Sequence, residues 1–136
     1  MTAEESRKEL ALYRLKQADE SLEEARFLEE GGKSLRSVAN RIYYSMFYAI
    51  LALLVFEKYA SSKHSGVISY FNSRFVKDGI FDEEDGRAVN RAFELRQRGD
   101  YREYVEISEK QVELLLSKAS VFVEKVKKYL EANRLI

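Results

Sequence analysis

The chain contains no cysteine, and only one histidine among its 136 residues. The first absence excludes disulfides and thiolate metal sites. The second excludes metal sites built on several imidazoles, so neither a metal nor a cofactor is expected. Proline is also absent and glycine occurs only six times, which suits long uninterrupted helices. No sign of charge dominates. Basic and acidic residues number 23 each, so any phosphate or nucleic-acid site must come from local clustering. The N-terminus, Met1-Thr2-Ala3-Glu4-Glu5-Ser6, is acidic and polar, unlike a signal peptide, and predicts a cytoplasmic protein. The length fits one domain, residues 1–136.

What the chain does have is one apolar run. From Ile42 to Phe56 there is no charge, and Ser45 is the one plainly polar residue, with Arg41 and Glu57 closing the run. Ile42, Met46, Ala49 and Leu53 fall on one helical stripe, and Tyr44, Tyr48, Leu51 and Val55 on another. A helix apolar nearly all round is buried nearly all round. The run is shorter than the roughly 20 residues of a membrane span, and its tyrosines need hydrogen-bond partners. It reads as the central helix of a bundle, with no membrane involved. Its apolar faces outnumber what a small bundle covers easily, which suggests a second subunit.

The other helices follow from periodicity and caps. Leu15, Ala18, Leu22, Ala25 and Leu28 give one stripe, so a first helix is expected over residues 3–30, ended by Gly31-Gly32. Ser34 caps the central helix, expected to last to about residue 59. Ser61 or Ser62 caps a third over residues 64–78, with His64, Ile68, Phe71 and Phe75 on its inner face and Gly79 as its stop. Asp82 caps a fourth, whose first turn holds Glu83, Glu84 and Asp85, where the helix dipole favours them. Val89, Ala92, Phe93 and Leu95 form its apolar side and Gly99 is its expected end. Residues 100–107 read as irregular. Ser108 and Gln111 form a capping-box pair opening a last helix to about residue 131, carrying Val112, Leu115, Ala119, Phe122 and Val126. The predicted fold is all-α, an up-and-down four-helix bundle with an additional short helix.

Chemistry-bearing residues concentrate on the fourth helix and the turn after it. Arg87, Arg91, Arg96, Arg98 and Arg102 are all arginine, whose rigid fork matches phosphate or carboxylate oxygens two at a time. Arg87, Arg91 and Arg98 share an outward face and equally describe a solvated helix surface. Arg96 stands on the buried stripe, four residues after Ala92, where a charge must be paired or face a cleft. Asp100, one turn on, is the structural partner to weigh against a ligand phosphate. His64, at the start of the third helix, reads either as a satisfied core histidine or as a base or phosphate contact. No Walker loop, GxGxxG, HExxH or Ser/His/Asp signature occurs.

Three blocks are familiar together. These are Ala39-Asn40-Arg41-Ile42-Tyr43-Tyr44-Ser45-Met46-Phe47-Tyr48-Ala49, then Lys63-His64-Ser65-Gly66, then Arg91-Ala92-Phe93-Glu94-Leu95-Arg96-Gln97-Arg98-Gly99-Asp100-Tyr101. In order and spacing they resemble the HEPN domain family, and more narrowly its small stand-alone prokaryotic members, over about residues 8–130. The resemblance implies a four-helix bundle with an extra short helix, usually a homodimer. It implies a toxin-like protein that pairs with a small nucleotidyltransferase and binds RNA or nucleotide phosphate. Many members are metal-independent ribonucleases with the active site at the dimer cleft. Their signature is an arginine followed four to six residues later by a histidine.

Arg96 matches that arginine, but Tyr101 occupies the histidine position. A phenol with a reference pKa near 10 is a poor general base at neutral pH. His64 replaces the base only if the fold brings it to Arg96. In some toxin members a tyrosine just after the motif is modified with AMP; Tyr101 and Tyr104 lie near that position, out of register. On this reading Arg96, Tyr101 and His64 are the catalytic candidates. Asn40, Arg41, Tyr44, Arg91, Arg98, Asp100 and Tyr104 are the binding candidates, with Asp100 orienting Arg96 and Asn40 and Tyr44 lining the cleft. The rival reading is a catalytically inactive helical interaction module in which Arg96, Asp100 and Tyr101 only fix the end of a helix.

Overall fold

A computed structural model describes residues 1–101 and 107–136, with side chains throughout those segments except at 98–101. Helix α1 spans Ala3–Glu30. Thr2 caps it, its hydroxyl accepting from the Glu5 amide at 3.1 Å, and Glu4 and Glu5 sit where the dipole favours them. At the other end the Lys33 amide donates back to the Leu28 carbonyl at 2.9 Å while Gly32 takes a φ of 64°. This is the glycine-dependent closure expected at Gly31-Gly32. Ala11, Leu15, Ala18, Leu22 and Ala25 are buried.

Helix α2, Leu35–Leu54, follows after a short turn and lies against α1. Ser34 caps it through the Ser37 amide at 3.2 Å. The two apolar stripes part company here. Ile42, Met46, Ala49 and Leu53 are fully buried, whereas Tyr44, Tyr48, Leu51 and Val55 are half-buried. Ser45 satisfies its hydroxyl within the helix, donating to the Ile42 carbonyl at 2.6 Å. The helix stops at Leu54, well before residue 59. The chain turns away where tertiary partners take it. Glu57 accepts from the Tyr70 hydroxyl at 2.8 Å and pairs with Arg74 at 3.2 Å, and Tyr59 stacks on Tyr70 at 4.3 Å.

Helix α3 covers only His64–Phe71. Neither serine caps it: Ser61 instead accepts from the Lys63 amide at 3.1 Å, one residue early. The chain then widens into one π turn, Asn72–Val76, rather than continuing as an α-helix to residue 78. The wider turn leaves both Phe71 and Phe75 in the core, their rings 5.9 Å apart. Gly79, at φ 81°, ends the segment as expected.

Helix α4 is Glu83–Tyr101, and it runs through Gly99 rather than stopping there. A helical glycine costs only about 1 kcal/mol against alanine, too little to break a helix that is otherwise supported. The stretch read as irregular is therefore helical at 100–101; residues 102–106 lie outside the described residues. Asp82 accepts from the Asp85 amide at 2.9 Å and Asp85 returns the bond to the Asp82 amide at 3.2 Å. Lys125 clamps the pair, at 3.3 Å from Asp82 and 3.0 Å from Asp85. The backbone amide of Asp85, then Lys125, holds the Asp82 carboxyl below its ordinary pKa. Helix α5, Glu109–Ala132, opens with the Ser108–Gln111 capping box, both bonds at 3.1 Å.

Helix α2 contacts all the other helices, and α5 packs against α1, α2 and α4. The fold is all-α, four long helices with the short α3 inserted. Among the described residues there is no strand, and no helix is long and apolar enough to cross a membrane.

Candidate functional site

At the first half of α2 the helix presents Asn40, Arg41, Tyr43 and Tyr44 within little more than one turn. Tyr43 points inward and is 1% exposed; Tyr44 is half-buried at the boundary. Packing of α3 and α4 on α2 brings the rest. His64, the first residue of α3, lies with Nδ1 2.8 Å from the Tyr43 hydroxyl. Its ring stacks on Phe47, centroids 4.2 Å apart, and meets Tyr44 edge-on at 6.0 Å. From α4, Arg96 sets its guanidinium carbon 5.4 Å from the Tyr43 ring centre and 5.6 Å from that of Tyr44. Arg96 Nη2 donates to the Tyr44 hydroxyl at 3.3 Å. Phe93, one turn earlier, closes on Tyr43 at 5.8 Å.

The fold thus gathers Arg96, His64 and Tyr44 in one cluster. Arg96 is half-buried and its Nε is sealed from solvent. The weakly hydrated guanidinium suits such a place, because it attracts aromatic faces while keeping its donors. Arg41 joins from the α2 side, its guanidinium carbon 5.0 Å from the Tyr44 ring centre. Arg41 also donates to Asn40 Oδ1 at 3.1 and 2.8 Å and lies 3.5 Å from Glu24, so Asn40 reaches the cluster through Arg41.

Arg91 does not join. It is on another face of α4, pairs with Glu94 at 3.4 Å, and lines a hollow between α4 and α5 with Arg87, Leu114 and Lys118. The side chains of Arg98, Asp100 and Tyr101, and the whole of Tyr104, lie outside the described residues, and with them the expected Arg96–Asp100 pair. Tyr43 is the member that sequence reasoning passed over. The signal was present: a tyrosine inside a buried helix must find a partner, and the chain holds a single imidazole.

Charge states follow from these contacts. Burial, and then the Arg96 charge, lower the His64 pKa from 6.5, so the imidazole is neutral at pH 7. Burial raises the Tyr43 pKa far above the ordinary phenol value. Arg96 opposes that rise without cancelling it, and Tyr44 adds to it. Tyr43 therefore keeps its proton. A histidine held neutral in the fold leaves stability intact above about pH 6.5. Stability is then lost as the pH falls, because the unfolded chain takes up a proton that the folded chain resists. The melting temperature should accordingly decline as the pH falls below about 6.5, and His64→Gln should flatten that decline. An identical pH profile in both proteins would refute it. Asp82 acts in a separate window, at and below about pH 3.8. Among the described residues, no three His, Asp or Glu side chains cluster closely enough to hold a metal.

The family model for the HEPN domain matches residues 11–129. A UPF0332 protein of Thermotoga maritima is 42% identical over 88% of this chain and 89% of its own length. A Methanocaldococcus jannaschii protein named "Putative toxin MJ0142" is 36% identical over 82% of this chain and 84% of its own. A UPF0332 protein of Archaeoglobus fulgidus is 31% identical over 89% and 95%. The matched span runs from the first buried turns of α1 almost to the end of α5 and takes in every element that builds the Arg96 cluster, so the chain belongs to the HEPN domain family.

Proposed function

We propose that this HEPN chain is a toxin-like cytoplasmic protein, acting as one domain, that binds RNA or nucleotide phosphate at the Arg96 cluster. The observation that carries the reading is the half-buried guanidinium of Arg96 set against Tyr43 and Tyr44 beside His64. Single-stranded RNA offers phosphates for a guanidinium and bases for an aromatic face, and recognition of that kind uses both. The toxin-like part rests on the names carried by the Methanocaldococcus jannaschii relatives. A nucleotidyltransferase partner follows from the family resemblance.

Homodimerisation is part of the proposal. The half-buried stripe Tyr44, Tyr48, Leu51 and Val55 supports it, running along α2 from the Arg96 cluster. A second copy laid there would complete the cover of that stripe and wall a cleft beside Arg96.

The rival, an inactive interaction module, draws on Tyr101 standing where the motif histidine belongs. One set of measurements separates them. Purified protein is titrated with a fluorescent oligouridylate, the RNA is run on a denaturing gel, and light scattering reports the mass in solution. Saturable binding and a dimer mass are expected. Cleavage on the gel would extend the reading to a ribonuclease. No binding, together with an unchanged melting temperature at high RNA, would leave the interaction module, since a ligand specific for the folded state must raise that temperature.

A further inference from the structure

The contact between Tyr43 and His64 decides what the imidazole can do at the phosphate site proposed above, on which this inference rests. The Tyr43 hydroxyl is buried, and His64 Nδ1 at 2.8 Å is its hydrogen-bond partner among the described residues. A phenol that keeps its proton has one hydrogen to place. If it donates to Nδ1, that nitrogen is an acceptor, and the proton of the neutral imidazole sits on Nε2. In the reverse arrangement Nδ1–H would donate to the phenol oxygen. The phenol hydrogen would then be left without that acceptor, on a buried ring packed among those of Tyr44, Phe47 and Phe93, with ring centroids 5.1, 5.6 and 5.8 Å from that of Tyr43. Stranding a buried donor costs about 1–3 kcal/mol.

The imidazole has little freedom to escape this choice. Its face is stacked on Phe47 at an interplanar angle of 24°. Among the described residues, the titratable groups that face it are Tyr43 and Tyr44 from α2 and Arg96 from α4, and no carboxylate is among them to favour a second proton. His64 is half-buried, so part of the residue faces solvent.

We propose that Tyr43 is a positioning residue that locks His64 as the neutral Nε2–H tautomer, so that His64 serves the Arg96 site as a hydrogen-bond donor to a phosphate oxygen and not as the proton acceptor. An imidazole in this state does not substitute for the motif histidine that Tyr101 replaces. It adds a second, uncharged donor to the guanidinium, which favours holding a phosphate over cutting beside it.

The single histidine makes the test direct, because every imidazole signal belongs to His64. Protein labelled with 15N-histidine is examined by two-bond proton–nitrogen correlation at pH 7.5. A protonated-type Nε2 and an unprotonated-type Nδ1, without averaging, are expected. Tyr43→Phe, which keeps the ring and removes the hydroxyl, should shift the Nδ1 resonance toward an averaged value. An Nδ1–H pattern, an averaged wild-type pattern, or nitrogen shifts unaltered by Tyr43→Phe would overturn the tautomer lock. Oligouridylate is then added, and the Nε2 signal should move while Nδ1 keeps its unprotonated character. If RNA binds in the polarisation assay and Nε2 stays still, the donor role is wrong while the phosphate site stands. If RNA does not bind at all, the phosphate site falls and the donor role with it, whereas the tautomer result is unaffected.

Discussion

Replacing Arg96 by alanine is expected to weaken oligouridylate binding by roughly 10–100-fold, because a hydrogen bond to a charged group contributes about 1.5–3 kcal/mol and 1.4 kcal/mol is a factor of ten. Arg96→Lys should recover only part of this. Lysine keeps the charge but lacks the planar fork that lies against Tyr43 and Tyr44 and reaches the Tyr44 hydroxyl. Arg87→Ala is the control. Arg87 is 70% exposed and pairs with Glu83 at 3.7 Å on another part of α4, so its loss should change affinity by no more than about twofold. Losing the cation–aromatic contacts also removes about 0.5–2 kcal/mol of stability, so a melting curve must accompany the titration. If Arg96→Ala protein is folded and binds RNA as tightly as wild type, the cluster is not the binding site.

Phe47→Ala should destabilise the fold by about 3–5 kcal/mol in urea unfolding, the usual loss for a buried phenylalanine. Phe47 is 7% exposed. It stacks on His64 at 4.2 Å and on Tyr43 at 5.6 Å, so it belongs both to the core and to the floor beneath the site. Phe27→Ala provides the contrast: that side chain is 73% exposed on α1, and its loss should cost within about 0.5 kcal/mol. A loss well below 1 kcal/mol for Phe47→Ala would contradict its place in the core. Because Phe47 carries the imidazole, the same substitution should also blur the His64 nitrogen pattern.

The elements that were legible in the sequence share one property: their limits are set locally. Helix α1 has Thr2 at one end and Gly31-Gly32 at the other, and its stripe of Leu15, Ala18, Leu22 and Ala25 points one way. Helix α5 announces itself with Ser108 and Gln111. The boundaries that moved were set at a distance. Helix α2 ends at Leu54 because Tyr70 and Arg74 draw Glu57 away, and the π turn after Phe71 answers to the packing of Phe71 and Phe75. Gly99 misled for a different reason: a single glycine weakens a helix without ending it.

The candidate site divides along the same line. Sequence alone determined that one arginine would stand on a buried stripe of α4, that one imidazole would open α3, and that tyrosines would crowd a helix with few polar neighbours. Residue type and helical period are enough for that. Only the tertiary structure decided that these groups meet. Tyr43 and His64 are 21 positions apart, and Tyr44 and Arg96 are 52 apart. Local pattern carries no information on contacts at such separations; they exist because α3 and α4 bury their apolar faces against the same stretch of α2.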